Sequence, residues 1–426
     1  MEKYARQNVQ SVIETIRKSR SVNRRAIARE TGLSAPTVTR IISDLLAAGV
    51  VRASDGEATG KSGPGRPAGL VSLEPNLGFI VGVDVGEHTI RVALGDLTGR
   101  IVATRRVPSV AREGGHLTFQ NLIGAIEDAL AEANGSRHED ASPILGITVG
   151  VPGTVDRESE IVLDAPNIRR WRNYPLNQLL QERYPRASVR VENDVNMAAV
   201  GEAAFGVGRD YRDFVFVSFR QGIGAGIWLN GELYRGGTGM AGELGFMAFD
   251  PAFDYSQSAG LGYLETLFGE QALLERAGAT AVAADEQDGK SDPSLRDLCL
   301  AAKAGNVQAG EVLDHALLTY GTAISNIVSL LSPELIVLGG DLTVVGDLAV
   351  NRISETVDRL TPHRPRIMAS LLGEDAGLQG AIHQAQVDTC ALLFLDDEVH
   401  RSTLVGSERN GPVTGDRKRA AERSER

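Results

Sequence analysis

Apolar residues in the first 50 positions recur at the spacing of amphipathic helices. They predict a helix over residues 4–19, a second helix over about 23–30 that ends at Gly32, and a third helix that begins after Ser34 and ends at Gly49. Serine is favoured as an N-cap residue, and glycine is favoured just after a helix. The inner face of the third helix comprises Val38, Ile41, Ile42, Leu45 and Leu46. A short helix, a glycine turn and a second capped helix form the helix-turn-helix pattern.

Two short apolar runs follow, at residues 50–52 and 70–73, and they predict the β-hairpin wing of a winged helix. The loop between them reads SDGEATGKSGPGRPAG. Within it, Arg66 is placed to reach into a narrow minor groove, where the electrostatic potential favours arginine. A solvated linker is an equally good interpretation of this loop, because runs of Gly, Pro and Ser are usually linkers.

From Leu77 onward, apolar strands alternate with helices. The predicted strands are 79–85, 90–95, 100–107, 144–149, 189–192, 214–219 and 335–338, and the predicted helices are 117–133, 195–204 and 313–331. The first three strands have the short connections of an antiparallel meander. Strands that alternate with helices, with glycine loops at their carboxyl ends, predict an α/β fold that binds its ligand in a crevice between two lobes.

The segment 220–249 is unusually rich in glycine. Gly222, Gly224 and Gly226 predict a turn between strands 214–219 and 227–229, and the Asn230-Gly231 pair predicts a hairpin turn. Glycines at this density let the backbone approach a ligand closely. A tight turn without a ligand is the alternative, because an isolated glycine motif is weak evidence.

Composition distinguishes the N-terminal region from the rest of the chain. The 426 residues carry a formal net charge of −11, but residues 1–75 hold 12 Lys and Arg against 7 Asp and Glu, whereas the remainder holds 32 against 48. A basic N-terminal region is attracted to phosphates, while an acidic bulk is repelled by nucleic acid. No apolar run approaches the ~20 residues of a membrane span. We therefore expect no membrane partner. The two cysteines, Cys299 and Cys390, form no disulfide framework, so we expect a protein of the reducing cytoplasm.

Candidate DNA-contacting residues lie on the second and third predicted helices. In helix-turn-helix geometry, the start of the third helix faces base edges while neighbouring basic residues hold phosphates. The candidates at the start of the third helix are Ser34, Thr37, Thr39 and Arg40, and those on the preceding helix are Arg24 and Arg25. A solvated helix surface is the alternative interpretation.

Five stretches of the acidic bulk resemble motifs of the ROK family (repressors, open reading frames and sugar kinases). They are GVDVGEHTIRVAL from Gly82, GVPGTVD from Gly150, ENDVNMAAVGE from Glu192, GIGAGIWLNGELYRG with AGELG from Gly222, and PELIVLGGDL from Pro333. The N-terminal helices and the GRPA loop resemble the repressor branch of that family.

The resemblance implies an α/β fold of two lobes, actin-like (ribonuclease H-like) and of the ATPase type. This domain is expected over residues 76–390, after a winged helix-turn-helix domain over residues 1–75. It also implies assembly into a homodimer or homotetramer. Residues 391–426 are mostly polar and predict a disordered tail.

The nucleotide-binding loops depart from those of ROK sugar kinases. The kinase loop D-x-G-G-T reads Asp84-Val85-Gly86-Glu87-His88 here, and the loop G-T-G-x-G reads Arg220-Gln221-Gly222-Ile223-Gly224, without its hydroxyl. A carboxylate at Glu87 would repel ATP. Asp194 stands where the family has its catalytic base, but a base without a phosphate donor transfers no phosphoryl group. We therefore expect no catalytic residue, no cofactor and no enzymatic activity.

The resemblance also implies a sugar-binding set. Its members are Asn167, Asn193, Asp194, Glu243 and Glu265. Carboxylates and carboxamides suit neighbouring sugar hydroxyls, which offer paired donors and acceptors. The alternative is that these residues only satisfy one another in the crevice, as buried polar groups must.

The zinc site of the family is expected to be absent. Phe246 replaces the family histidine, and no cysteine remains in the corresponding motif, residues 256–265. We expect Glu265 to be steadied instead by packing among Phe246, Phe249, Phe253 and Tyr263.

Together these features predict a transcriptional regulator, a repressor of sugar-metabolism genes. Its winged helices would bind double-stranded operator DNA, and its crevice would hold a sugar or phosphosugar effector. Two alternatives stay open: a cytoplasmic sugar kinase with an accessory DNA-binding arm, and a repressor that responds to no effector.

Overall fold

The computed structural model describes residues 2–54, 69–135, 142–258, 260–278 and 293–392. Arg66 with residues 55–68 of the wing loop, residues 279–292 and the tail from residue 393 lie outside the described residues. Residues 391 and 392, which we assigned to the tail, are the last residues of a helix.

The helices of the described residues are α1 (Glu2–Ser19), α2 (Arg24–Thr31), α3 (Ala35–Ala47), α4 (Gly115–Asn134), α5 (Leu176–Arg183), α6 (Asp194–Phe205), α7 (Tyr263–Phe268), α8 (Glu270–Ala277), α9 (Leu295–Lys303), α10 (Val307–Leu331), α11 (Gly346–Leu360) and α12 (Ala376–Leu392). No helix in these ranges is both long and apolar enough to cross a membrane.

The strands are β1 (Val22–Asn23), β2 (Val51–Ser54), β3 (Leu70–Leu73), β4 (Phe79–Val85), β5 (Thr89–Asp96), β6 (Ile101–Pro108), β7 (Ile144–Val151), β8 (Thr154–Val155), β9 (Val162–Asp164), β10 (Ser188–Asn193), β11 (Phe214–Phe219), β12 (Ile223–Leu229), β13 (Glu232–Tyr234), β14 (Leu335–Gly340) and β15 (Arg366–Ala369).

The N-terminal residues fold as the predicted helix-turn-helix with a hairpin. Asn23 caps α2 by accepting a hydrogen bond from the backbone N–H of Ala26 at 2.9 Å, and Ser34 caps α3 through the N–H of Thr37 at 3.4 Å. Gly32 ends α2 at a φ of 69°, a left-handed conformation that glycine adopts at little cost. Strand β1, which was not predicted because it has two residues, joins the wing strands in the order β1-β3-β2.

The two five-stranded sheets share one topology, and β8 and β9 form a separate two-stranded sheet. In the first lobe the order is β10-β7-β4-β5-β6, and in the second lobe it is β15-β14-β11-β12-β13. In each lobe the three strands that come first along the chain form an antiparallel meander, and two later strands extend it in parallel. The carboxyl ends of the parallel strands therefore meet at one edge in each lobe, where a ligand crevice is expected.

Two glycines of segment 222–226 lie in a strand that packs against a helix, and they do not form a turn. Gly224 and Gly226 lie inside β12, paired with Ser218 and Phe216 of β11, so the predicted three-glycine turn is wrong for these two positions. A Cβ on Gly226 would lie 2.5 Å from the Cβ of Ala199 in α6. Strand β12 therefore needs glycine here because α6 crosses it closely. The Asn230-Gly231 turn is confirmed, with φ of 57° and 82°.

Helices α6 and α12 cross with their backbones in contact. A Cβ on Gly380 of α12 would lie 1.8 Å from the carbonyl oxygen of Met197, and a Cβ on Gly201 of α6 would lie 2.2 Å from the carbonyl oxygen of Ala376. No side chain larger than hydrogen fits at either position. The two helices are thereby fixed to one another over much of their length.

Helix α12 also joins the first lobe to the winged helix. Its residues Leu378, Ile382 and Cys390 belong to the same hydrophobic core as Ile13 and Ile16 of α1. Cys390 and Cys299 are both buried free thiols. The winged helix and the first lobe therefore share one apolar core, and burial of that core holds them together.

Polar contacts reinforce the junction of α1 and α12. Gln386 accepts a hydrogen bond from Nη1 of Arg17 at 3.3 Å and donates one to the carbonyl oxygen of Leu97 at 2.8 Å. Arg17 is held in turn by Glu14 at 2.7 Å. Burial opposes ionisation of Glu14, but the hydrogen bond and charge of Arg17 outweigh it and lower the pKa of Glu14 to about 2.

The α6–α12 crossing predicts the effect of a methyl group. Gly380→Ala gains helix propensity, but its Cβ overlaps backbone, so we expect a net loss of about 1–3 kcal/mol in the free energy of unfolding. Gly310→Ala in α10 is the matched control: no atom lies within 4 Å of its Cβ, and a gain of about 0.5–1 kcal/mol is expected. Urea unfolding followed by circular dichroism measures both, and equal stabilisation of the two variants would contradict the close crossing.

Candidate functional site

A small cavity with charged residues in its lining lies between the carboxyl ends of β4 and β11 and the first residues of α6 and α12. Its volume is about 30 Å³, which is room for about one water molecule. Its charged lining residues are Asp84, Arg91, Asp194, Arg220 and Glu374. Side chains from both lobes therefore meet where the sequence placed the crevice.

Arg91 is the main partner of Asp84. The two residues are cross-strand neighbours in the β4–β5 hairpin, and the Nε of Arg91 donates to Asp84 at 3.1 Å while its Nη2 also donates to this carboxylate. Nη1 of Arg91 reaches Asp375 at 3.2 Å, and Nη2 donates to the carbonyl oxygen of Glu374. Arg91 thus joins the first lobe to the turn that precedes α12.

Arg220 enters the cavity from the second lobe. It follows β11 directly, and Asp341 follows the parallel neighbour β14, so the two residues lie at the same edge of the sheet. Burial lowers the pKa of Arg220, but the charges of Asp341 and Asp84 outweigh this and raise it. Arg220 is therefore a permanent cation.

Asp194 is the first residue of α6, and its Oδ1 accepts a hydrogen bond from the N–H of Val195 at 2.9 Å. Desolvation raises the pKa of its carboxyl group, and the charge of Asp84 raises it further, to about 7. Arg220 opposes this shift but does not cancel it. A carboxyl group with this pKa exchanges a proton near neutral pH and accepts or donates a hydrogen bond accordingly.

Glu87 lies in the β4–β5 turn with its side chain 8% exposed. Its Oε1 is 3.1 Å from Nε of Arg112, which partly compensates its charge. Its Oε2 is buried and has no hydrogen-bond partner in the described part of the chain. The predicted carboxylate is therefore held inside the protein rather than in solvent.

Asn193 is first of all the cap of α6. Its Oδ1 accepts from the N–H of Asn196 at 3.0 Å, and its Nδ2 donates to the carbonyl oxygen of Gly153 at 3.0 Å. Gly153 in turn lies against Ala165, in the segment that carries Asn167. These contacts join the start of α6 to the segment that carries Asn167. The half-buried side chain of Asn167 has no hydrogen-bond partner among the described residues.

Glu265 and the segment of Glu243 lie beside β12 in the second lobe. The Oε1 of Glu265 accepts from the N–H of Ile223 at 3.1 Å, and its Oε2 accepts from Gly262 at 3.3 Å, at the start of α7. Desolvation and the charge of Glu265 raise the pKa of Glu243 to about 6. A Cβ on Gly222 would lie 3.3 Å from Oε1 of Glu265, and a Cβ on Gly224 would lie 3.2 Å from Cγ2 of Val195 in α6. Glu265 and the start of α6 therefore both lie against the beginning of β12.

The loop that replaces the zinc motif is held by hydrogen bonds and aromatic contacts. The hydroxyl of Ser258 has one proton, which it can donate either to the carbonyl oxygen of Tyr255 at 2.8 Å or to that of Leu261 at 2.5 Å. Asp254 accepts a hydrogen bond from Ser256 Oγ at 2.7 Å. The ring pairs are Phe246 with Tyr255, Phe249 with Tyr263, and Phe253 with Tyr263. In the described ranges, no group of three or more His, Cys, Asp or Glu residues is arranged to hold a metal ion.

Most of the predicted DNA-contacting side chains that the structure describes are exposed. Ser34, Thr39, Arg40 and Arg25 are exposed, and Thr37 is half-buried. The hydroxyls of Ser34 and Thr37 are hydrogen-bonded to each other at 2.8 Å, which orients both. Arg24 differs, because it is half-buried and its Nε is buried without a partner in the described residues.

The sequence interpretation missed Arg91, Arg220 and Glu374. The signal for Arg91 was available, because a hairpin with Val85 opposite Ile90 places Asp84 opposite Arg91. The signal for Arg220 was its position just after a buried strand. Glu374 belongs to a short turn before α12, and no local pattern indicated its position.

The fold is therefore that of a winged helix-turn-helix DNA-binding domain joined to a two-lobed, actin-like α/β domain. The winged helix-turn-helix DNA-binding family matches residues 7–52, and the ROK family matches residues 80–387. The chain belongs to the ROK family. The fold implied by the sequence motifs is thereby confirmed.

Three relatives show the range of proteins with similar sequences. A candidate xylose repressor of Caldicellulosiruptor sp. (strain Rt8B.4) is 30% identical over 90% of this chain and 96% of its own. The DNA-binding transcriptional dual regulator NagC of Escherichia coli (strain K12) is 27% identical over 79% of this chain and 81% of its own. A glucokinase of Halalkalibacterium halodurans is 32% identical over 71% of this chain and 93% of its own. The family thus contains both regulators and kinases.

One solved structure resembles this chain over both the winged helix and the two lobes. It is that of a ROK family transcriptional regulator described as a homolog of the Escherichia coli MLC protein. The TM-score is 0.73 at 23% identity, over 92% of this chain and 98% of the other. At this identity the likeness establishes the fold.

The raised pKa of Asp194 predicts a pH-dependent stability. The folded chain holds this proton up to about pH 7, and the unfolded chain only to about 3.8, so stability falls as pH rises between these values. Asp194→Asn removes that loss. Relative to the unmodified chain, its free energy of unfolding should rise by about 1 kcal/mol or more between pH 5 and pH 8.

Urea unfolding at a series of pH values measures this difference. Asp128→Asn, which changes an exposed carboxyl group of α4, is the control and should show a flat difference. A flat difference for Asp194→Asn as well would contradict the raised pKa.

Proposed function

We propose that the chain is a DNA-binding repressor of sugar-metabolism genes whose crevice binds a sugar or phosphosugar effector and transfers no phosphoryl group. The observation that carries this proposal is the ion cluster, by which we mean the charged residues around the small cavity: Asp84, Arg91, Asp194, Arg220 and Glu374. Arg91 and Arg220 leave a cavity of only about 30 Å³ beside Asp84, whereas a nucleoside triphosphate needs far more space. The sugar-binding set beside the cluster keeps carboxylates and carboxamides that suit hydroxyls.

Regulators among the relatives support the DNA-binding half of the proposal. The proposed contacts to base edges come from Ser34, Thr37, Thr39 and Arg40, and the proposed phosphate contacts come from Arg24 and Arg25. Arg66 of the wing is proposed for the minor groove. The acting species is proposed to be a homodimer or homotetramer in the cytoplasm, because two winged helices match a two-fold symmetric operator.

Helix α12 supplies the route from effector to operator in this proposal. It begins at the ion cluster, crosses α6 just behind Asp194, and ends against α1. An effector that moves the start of α6 shifts α12 with it, because the glycine crossing allows no sliding without backbone overlap. The spacing of two winged helices in the assembly then changes, and so does operator affinity.

The proposed DNA contacts predict a loss on removal of Arg40. Purified protein is first used to enrich fragments of its host's genomic DNA, and the enriched duplex then serves as the probe in fluorescence anisotropy. Arg40→Ala should weaken binding roughly 10-fold, because a base-edge or phosphate contact is lost. Arg209→Ala, an exposed arginine of the second lobe, is the control and should bind as the unmodified chain does. Failure to enrich any duplex would sink the proposal.

The absence of phosphoryl transfer predicts a silent kinase assay. With ATP, magnesium and D-glucose, D-xylose or N-acetyl-D-glucosamine, ADP release should not depend on the sugar. The Halalkalibacterium halodurans glucokinase is a suitable positive control. Sugar-dependent ADP release that disappears in Asp194→Asn would instead establish the kinase alternative, for which the retained Asp194 is the supporting observation.

A further inference from the structure

A second cavity, of about 220 Å³, lies at the outer edge of the first sheet. Its walls are the β8–β9 hairpin, strand β10 and the loop after β13. None of the five residues of the sugar-binding set lines it. Its charged lining comprises Asp156, Arg157, Glu160, Arg190, Glu192 and Arg235.

Two contacts beside this cavity join the lobes. Nε of Arg235, which follows β13 of the second lobe, donates to Glu192 of β10 at 2.5 Å. From the first lobe, Nη1 of Arg157 donates to the carbonyl oxygen of Gly236 at 3.2 Å. A molecule in the cavity therefore contacts both lobes at once.

The lining combines three guanidinium groups with three carboxyl groups, so it has no net charge. Each guanidinium carries five N–H donors. The hydrogen bonds found in the described residues occupy only Nε of Arg235 and one Nη of Arg157, which leaves donors of both residues unused. Glu160 supports the wall by accepting from the N–H of Val191 at 3.0 Å. Donors and acceptors that alternate around a cavity suit neighbouring hydroxyls, whereas a phosphate would meet three carboxylates.

We propose that this cavity is a second small-molecule site, and that its ligand is a neutral polyol. Its volume is below the ~300–1,000 Å³ of pockets for drug-sized ligands, which restricts the ligand to a small molecule. The site is separate from the set around Asp194, and binding to it does not rest on the repressor function.

Arg190 connects the cavity to helix α12. Its Nε donates to Asp388 of α12 at 2.5 Å, and its Nη1 lies 3.7 Å from Glu160 in the cavity wall. A ligand that bonds to Glu160 changes the balance between these two partners of Arg190. Gln386 of α12 also accepts a hydrogen bond from Arg17 of α1, so a shift of α12 on ligand binding is transmitted to the winged helix.

Isothermal titration of the full chain tests the site. The neutral probes are D-xylose, D-glucose, N-acetyl-D-glucosamine and D-sorbitol, and the charged probes are inorganic phosphate and D-glucose 6-phosphate. Arg157→Ala and Glu160→Gln should each weaken binding of at least one neutral probe about 10-fold, the loss expected for one hydrogen bond to a charged group. Arg209→Ala, which alters an exposed arginine outside both sites, should leave this binding unchanged. Glu243→Gln alters the sugar-binding set around Asp194 and identifies any binding that belongs to that set. Circular dichroism verifies that each variant is folded.

Three results would overturn the proposal. The first is that no neutral probe binds. The second is binding that Glu243→Gln removes and the cavity variants leave intact, which assigns it to the set around Asp194. The third is tighter binding of the phosphorylated probe to the cavity than of its neutral parent. None of these outcomes bears on operator binding, which is measured separately.

Discussion

The crossing of α6 and α12 at Gly201 and Gly380 is the contact on which the rest of the structure depends. Both positions lie against a backbone carbonyl, at distances where no Cβ fits. Helix α6 begins with Asp194 of the crevice, and α12 ends in the core of the winged helix. Close packing of these two helices links the crevice to the winged helix through continuous contacts, and this is the physical basis of the proposed transmission, because packed interiors deform little.

The ion cluster explains how this coupled pair of helices is held at its crevice end. Charges removed from water are costly unless they are paired and hydrogen-bonded. Here Arg91 donates hydrogen bonds to Asp84 and to Asp375 in the turn before α12, and Arg220 lies among carboxylates of both lobes. The charges of these side chains compensate one another. The compensation is incomplete at Asp194, where the pKa stays raised, and this residue borders the sugar-binding set.

The sequence predicted features that depend on local rules and missed those that depend on distant contacts. The helix end at Gly32, the cap at Ser34 and the Asn230-Gly231 turn follow from neighbouring residues, and they were predicted correctly. The family motifs indicated the two lobes, which are confirmed, and the sugar-binding set of five residues, which stays a prediction. Gly224 and Gly226 were misassigned to a turn, because their role depends on a helix that crosses the strand. Segment 155–160 gave no sign of a cavity, since its walls come from three separate segments of the chain.

Transmission through α12 is the central claim of this account, and hydrogen–deuterium exchange of the full chain tests it most directly. The added sugar would be the one among D-xylose, D-glucose and N-acetyl-D-glucosamine that most raises the melting temperature. The account predicts altered exchange at the start of α6, along α12 and in α1. Exchange that changes only around the crevice, with α12 and α1 unaffected while operator affinity changes, would contradict it.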